Sequence, residues 1–213
     1  MRTIVAATLG ALALGIAGCG GDDPPRAALP DANPKPSCPS KWRAGWEQLA
    51  NETHGVVYCP TFMPSPLDGK IGGQFANGRS VDPDRSWLVS LLWFERGVGG
   101  ITGEVHVNFR GYPGRTSIPV CEDTLTVNGV TKRTKIPCFS DPRGTRRAGE
   151  IKARVYTVNQ GADQWHVLYA WKRQGTLYTV SQHVIEPYGY SAVVRNLDKV
   201  LRGLVLIEPR SAA

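Results

Sequence analysis

The sequence predicts an α+β fold in which a single twisted antiparallel sheet of about six to eight strands carries an N-terminal and a C-terminal helix on one face. Three observations lead to this prediction: an amphipathic helical pattern after residue 40, a series of strand patterns joined by glycine turns, and a second amphipathic pattern after residue 190. With 213 residues and 41% hydrophobic content, the chain is long enough for one globular core plus appendages.

The first predicted helix runs through "KWRAGWEQLANE", with Ser40 as its N-cap and Gly55 just beyond its end. Apolar or small residues at helical spacing give it one inward face: Trp42, Gly45, Trp46 and Leu49. The following stretch "GVVYCPT" is typical of a short strand, and Pro60 limits its length.

Several strands are predicted between residues 86 and 184. Residues 86–96 are apolar on both faces and indicate a central strand, whereas "GEVHVNFR" alternates, with Val105, Val107 and Phe109 inward. Asn128-Gly129 is the strongest short hairpin signal in the chain. Residues 151–158, 164–173 and 176–184 predict a meander with turns at Gly161 and Gly175.

A closing helix is predicted over about residues 190–206, because apolar residues repeat there at helical spacing. Its inward stripe comprises Tyr190, Val193, Val194, Leu197, Val200, Leu201 and Leu204. Pro209 follows the stripe and marks the end of the predicted helix.

A leader of fourteen uncharged residues occupies positions 4–17. A helix of this length spans about 21 Å, short of the ~30 Å hydrocarbon core, so it indicates a signal peptide rather than a transmembrane helix. It ends in "IAGC", residues 16–19, which resembles the lipobox of bacterial lipoprotein precursors. The resemblance implies that Cys19 receives a diacylglycerol, with acyl chains such as palmitate, and becomes the mature N-terminus. An ordinary secretory leader is the alternative.

The chain therefore divides into a signal peptide (1–18), a lipid-anchored tether (19–37) and a globular domain (38–209). The tether has five prolines in the eighteen residues after Cys19 and few apolar residues, which predicts a disordered, partly polyproline segment. At ~3.1 Å per residue it would reach at most about 55 Å. The predicted location is the extracytoplasmic face of the cell membrane.

Four further cysteines, Cys38, Cys59, Cys121 and Cys138, form an even set, which predicts two disulfides in an exported chain. Three pairings are possible. We favour Cys38–Cys59, because it would link the first helix to the next strand. We favour Cys121–Cys138, because the hairpin register makes these residues diagonal neighbours. A four-cysteine zinc site is the weaker alternative, because the sequence has no C-x-x-C pair.

A two-residue turn at Gln174-Gly175 would place His166 directly opposite His183 on neighbouring strands. Both would lie on the wetter face of the sheet, where two imidazoles can hold zinc or copper with His106 or Glu104 as a third ligand. The alternative is a pair of solvated histidines on an open face.

A second candidate site is "DPRGTRR", which clusters Arg143, Arg146 and Arg147 in a predicted loop suited to phosphate or carboxylate groups. A solvated loop is the alternative interpretation. The six tryptophans mostly occupy inward positions, which favours core packing over a ligand-lined groove.

The stretch "VVYCPTFMPSPLDG", residues 56–69, resembles an entry segment found in uncharacterised exported bacterial domains that close with a strand and a helix. The resemblance implies an α+β fold and carries no activity. An ordinary strand ended by prolines explains the same residues.

These features predict a membrane-tethered, extracytoplasmic domain that binds a ligand or partner, with no cofactor. A net charge of +7 suits an anionic lipid or wall polymer, and an envelope protein is a further candidate. Nucleic acid is not an expected partner, since the basic residues are spread along the chain. A structural envelope protein acting by contact only is the second hypothesis. The third hypothesis is an enzyme. Its catalytic site would have to be assembled from dispersed residues, since none of the common hydrolase, P-loop or dinucleotide motifs is present.

Overall fold

The computed structural model describes residues 36–67, 78–97, 100–160 and 165–210. The leader, Cys19 and nearly all of the predicted tether lie outside the described residues. Two helices and eleven strands follow in chain order: α1 (Ser40–Thr53), β1 (Val57–Pro60), β2 (Gly78–Val81), β3 (Trp87–Gly97), β4 (Gly100–Tyr112), β5 (Val120–Val127), β6 (Val130–Pro137), β7 (Phe139–Ala148), β8 (Ile151–Asn159), β9 (His166–Arg173), β10 (Thr176–His183), α2 (Tyr190–Arg202) and β11 (Leu204–Ile207).

Seven strands form one large antiparallel sheet in the order β2-β3-β4-β10-β9-β8-β7. The predicted large antiparallel sheet with two helices is confirmed. The prediction of a single sheet is wrong, because β1 pairs with β11 and β5 pairs with β6 in two separate two-stranded sheets.

Both helices pack on one face of the large sheet. Trp46 of α1 meets Phe109 of β4 edge-on, with ring centroids 5.6 Å apart. From β9, Tyr169 donates its hydroxyl to Asp198 of α2 at 2.8 Å. Phe109 and Tyr169 both pair with Val180 of β10, which places these three residues on the same face. The main core therefore lies between this face and the helices.

The first helix begins one residue earlier than predicted. Pro39 is the N-cap and Ser40 is already helical. At the other end His54 adopts the left-handed conformation, and the next residue, Gly55, donates its backbone N–H to Ala50. His54 therefore occupies the position that glycine often takes after a helix.

The second helix ends at Arg202, so the prediction of a helix to residue 206 is wrong. Leu204 continues the helical spacing in the sequence, but residues 204–207 are an unbroken apolar run after Gly203. This run forms β11, because β1 offers it a complete antiparallel partner from Val57 to Pro60.

Residues 141–147 were predicted to be a loop and instead form part of β7, the edge strand of the large sheet. The register shifts between Pro142 and Thr145, where the pairing with β8 is interrupted. An edge position tolerates the proline and the irregularity, because one side of the strand needs no partner.

Both favoured disulfides are present. Cys38 and Cys59 link the start of α1 to β1, with sulfurs 2.02 Å apart. Cys121 and Cys138 close the base of the β5–β6 hairpin at 2.16 Å. The hairpin register places Cys121 opposite Ile136, as the Asn128-Gly129 turn predicted.

Candidate functional site

The predicted pairing of His166 with His183 is confirmed by the register of β9 and β10. In the same register Tyr169 opposes Val180 on the face that carries the helices. The two histidines therefore lie on the opposite face of the sheet, which we call the second face.

A third histidine joins this pair. His106 of β4 has its ring centroid 4.4 Å from that of His166 and 4.9 Å from that of His183. The rings of His166 and His183 are stacked 4.9 Å apart. These three residues, His106, His166 and His183, form what we call the histidine cluster.

Glu104 orients two members of the histidine cluster. Its carboxylate Oε1 lies 2.7 Å from Nδ1 of His106, and its backbone oxygen accepts from Nδ1 of His183 at 3.1 Å. Nε2 of His106 and Nε2 of His166 face each other at 2.5 Å. Glu104 therefore contacts Nδ1 of two members of the histidine cluster, while Nε2 of His106 is directed at His166.

The expectation that these histidines lie on a wet face is wrong. His166 is 2% exposed and His106 is 8% exposed. The reason is that the three rings pack against one another across neighbouring strands, and the second face also carries its own hydrophobic cluster around Leu168. His183 is only half-buried, and with His166 it lines a pocket of about 290 Å³ beside Tyr190.

Metal binding by the histidine cluster stays a prediction. Among the described residues, no group of three or more His, Cys, Asp or Glu side chains is arranged to hold a metal ion. Two nitrogens bound tetrahedrally to one zinc ion, at about 2.0–2.1 Å each, lie about 3.3 Å apart. Nε2 of His106 and Nε2 of His166 are closer than this, so zinc would require the two rings to separate.

The three arginines proposed as an anion site do not converge. Arg143 pairs with Asp141 at 2.7 Å, and Arg146 pairs with Asp198 of α2 at 3.2 Å. Arg147 lies opposite Lys152 in the register of β7 and β8, so its strand neighbour there is another cation. Arg146 and Arg147 are adjacent in a strand, so their side chains project from opposite faces.

A groove of about 600 Å³ lies on the second face and was not predicted from the sequence. Its apolar floor consists of Phe139, Tyr156, Ala170 and Leu177, all of them buried. Its rim carries three exposed cations, Lys152 and Arg154 from β8 and Lys172 from β9. We call it the basic groove.

Among the residues that the structure describes, no carboxylate lines the basic groove. Within the part of the chain that the structure describes, Lys152, Arg154 and Lys172 form no ion pair. Nearby cations differ: Arg173, next to Lys172 in the sequence, binds Glu150 at 2.7 Å. The signal available in the sequence was the alternation of Lys152 and Arg154 with inward Ala153 and Val155, which places both cations on one face.

Comparison with known proteins gives no match to any protein-family model, curated protein or solved structure. Across the described ranges, no helix is long and apolar enough to cross a membrane. The basic groove and the histidine cluster are therefore the features from which a function is inferred.

Proposed function

We propose that this chain is a lipid-anchored extracytoplasmic protein whose folded domain binds a ligand in the basic groove without catalysing a reaction. The observation that carries the proposal is the groove itself, a concave site of about 600 Å³ on the sheet face opposite both helices. Small-molecule sites typically have volumes of about 300–1,000 Å³ and apolar walls with a few polar groups. The basic groove fits this description.

The anchored location is supported by the sequence of the leader and by the disulfides. Residues 16–19 fit a lipobox, and acylated Cys19 would provide contact with the lipid bilayer. Two disulfides are typical of chains that fold in an oxidising compartment outside the cytoplasm.

A second candidate function is contact with another envelope protein through the β5–β6 hairpin. Four exposed apolar side chains lie on this hairpin: Val120, Leu125, Val127 and Val130. Leu125, Val127 and Val130 project from one face of it. Exposed apolar residues gathered in one place are typical of protein contact sites.

Native and denaturing mass spectrometry of the membrane-extracted protein tests the proposed function. We expect a ligand mass that is present under native conditions and lost on denaturation. Ala170→Phe should remove this mass, because its ring would fill the floor of the groove. Ala44→Phe is the matched control, since Ala44 is exposed on α1.

A native mass equal to that of the lipidated chain alone would reject ligand binding and favour the contact-only function. In that case Leu125→Ser and Val130→Ser should remove a co-purifying protein while leaving the circular dichroism spectrum unchanged. Retention of the ligand by Ala170→Phe, with an unchanged fold, would place the binding site elsewhere.

A further inference from the structure

We propose that the ligand of the basic groove is an anionic amphiphile, a phosphate or carboxylate group joined to a hydrocarbon chain. This inference rests on the proposed function and names the chemical class of the ligand. The juxtaposition that supports it is an apolar floor directly beside a rim of cations that have no carboxylate partner among the described residues.

The cations form a row across three strands. Arg147 of β7 is directly opposite Lys152 of β8. Lys172 of β9 lines the same groove as Lys152 and Arg154. Like charges directly opposite each other in a sheet are destabilising. An anion bound among them would replace this repulsion with attraction.

The cations of this row differ from neighbouring cations in having no acidic partner among the described residues. Arg146 and Arg173, each next to a member of the row in the sequence, both have acidic partners, Asp198 and Glu150 respectively. Arg147 and Lys172 have no ion pair within the described residues. Positive charge is therefore concentrated on the second face at the groove.

The floor supplies the apolar half of the site. The rings of Phe139 and Tyr156 meet edge-on at 4.9 Å, and Leu177 packs in the same cluster. Arg154 and Tyr156 alternate along β8 and project to the same side, so a charged group and an aromatic surface are about 7 Å apart along one strand. A purely polar anion would leave this floor without a contact.

Calorimetric titration of the full chain carrying Cys19→Ser, which lacks the acylation site, tests the ligand class. The probes are dodecyl phosphate below its micelle concentration, dodecyl maltoside, inorganic phosphate and phosphatidylglycerol vesicles. We expect dodecyl phosphate to bind one to one, at least ten-fold more tightly than dodecyl maltoside or inorganic phosphate.

A triple variant, Lys152→Gln with Arg154→Gln and Lys172→Gln, should weaken dodecyl phosphate binding at least ten-fold. The matched control removes three positive charges from the hairpin, by Lys132→Gln, Arg133→Gln and Lys135→Gln, and should change binding less than two-fold. If the wild-type groove binds the vesicles and the triple variant does not, the anionic amphiphile is a membrane lipid. Binding of dodecyl phosphate without binding of vesicles would identify a free amphiphile.

Equal affinity for dodecyl maltoside, or an unaffected triple variant, would overturn the anionic class while leaving ligand binding intact. If inorganic phosphate binds as tightly as dodecyl phosphate, the ligand needs no hydrocarbon chain and the amphiphile inference is wrong. If no probe binds and the native mass shows a neutral or cationic ligand, the inferred class is wrong. If no probe binds and no native ligand mass exists, the proposed function itself fails.

Discussion

Asp84 organises the turn between β2 and β3. It accepts hydrogen bonds from the backbone N–H of Ser86 at 3.0 Å and from the hydroxyl of the same residue. The guanidinium of Arg115 lies 2.9 Å from its other carboxylate oxygen. These partners, the Ser86 hydroxyl first, lower the pKa of Asp84 to about 2.

The lowered pKa of Asp84 predicts a loss of stability in acid. A carboxyl group whose pKa is lower in the folded than in the unfolded state stabilises the fold above the unfolded value of about 3.9. This contribution disappears as the pH falls through about 4 to about 2. Urea midpoints measured from pH 5 to pH 2 should fall less for Asp84→Asn than for the wild type. Asp123→Asn, an exposed substitution in the hairpin, should behave as the wild type.

Zinc binding by the histidine cluster gives a second prediction at the residue scale. If the three imidazoles bind zinc in the folded state only, zinc raises the melting temperature by mass action. We expect this rise in the wild type and none in the His166→Ala, His183→Ala double variant. His54→Ala is the control, because His54 lies at the end of α1. A wild type that zinc does not stabilise would reject the metal site.

Residue pairing within one hairpin could be predicted from the turn, whereas His106 could be named only as a candidate third ligand from another strand. The Gln174-Gly175 turn fixes the pairing of His166 with His183. The contact with His106 depends on the pairing of β4 with β10, which are far apart in the sequence. The burial of the cluster depends on the same long-range assembly.

At the scale of elements, the sequence identified those with local signals. The meander, the Asn128-Gly129 hairpin and both helices follow from periodicity and turn residues. The strands β2, β7 and β11 were missed, because each is defined by its partner rather than by its own pattern. Polar residues dominate β7, and β11 continues the helical spacing of α2.

The β5–β6 hairpin should depend on its disulfide. A two-stranded hairpin without support from other strands is marginally stable. Among the described strands, β5 and β6 pair only with each other. Replacing both Cys121 and Cys138 with Ser should lower the free energy of unfolding by about 3 kcal/mol, the value of the chain-entropy model for a loop of this length. Amide exchange should become faster in β5 and β6 and remain slow in β9 and β10. Equally faster exchange throughout would contradict this local role.

At the scale of the whole molecule, the proposed lipid anchor predicts where the protein is found in the cell. Cys19→Ser should move the protein from the membrane fraction to the soluble fraction, because acyl chains provide the proposed attachment. Cell fractionation measures this directly, and Ser37→Ala, an exposed substitution that leaves the proposed anchor and both disulfides intact, is the control. Membrane retention of Cys19→Ser would reject the lipoprotein interpretation.

The basic groove is a property of the assembled molecule. Its floor combines Phe139 from β7 with residues of β8, β9 and β10. The sequence assigned the segment after Phe139 to a loop, so no local pattern placed that ring beside Tyr156. The alternation in β8 shows its cations as outward residues, but the absence of acidic partners for them among the described residues depends on the whole arrangement.

The pairing of β1 with β11 has a consequence for the order of assembly. The first strand of the domain has its sole strand partner, among the described residues, in the last one. During synthesis, β1 must therefore remain without that partner until residues 204–207 have emerged. Contacts between such distant segments slow folding. A chain that ends before Leu204 would leave β1 with open backbone groups, exposed to pairing with other chains.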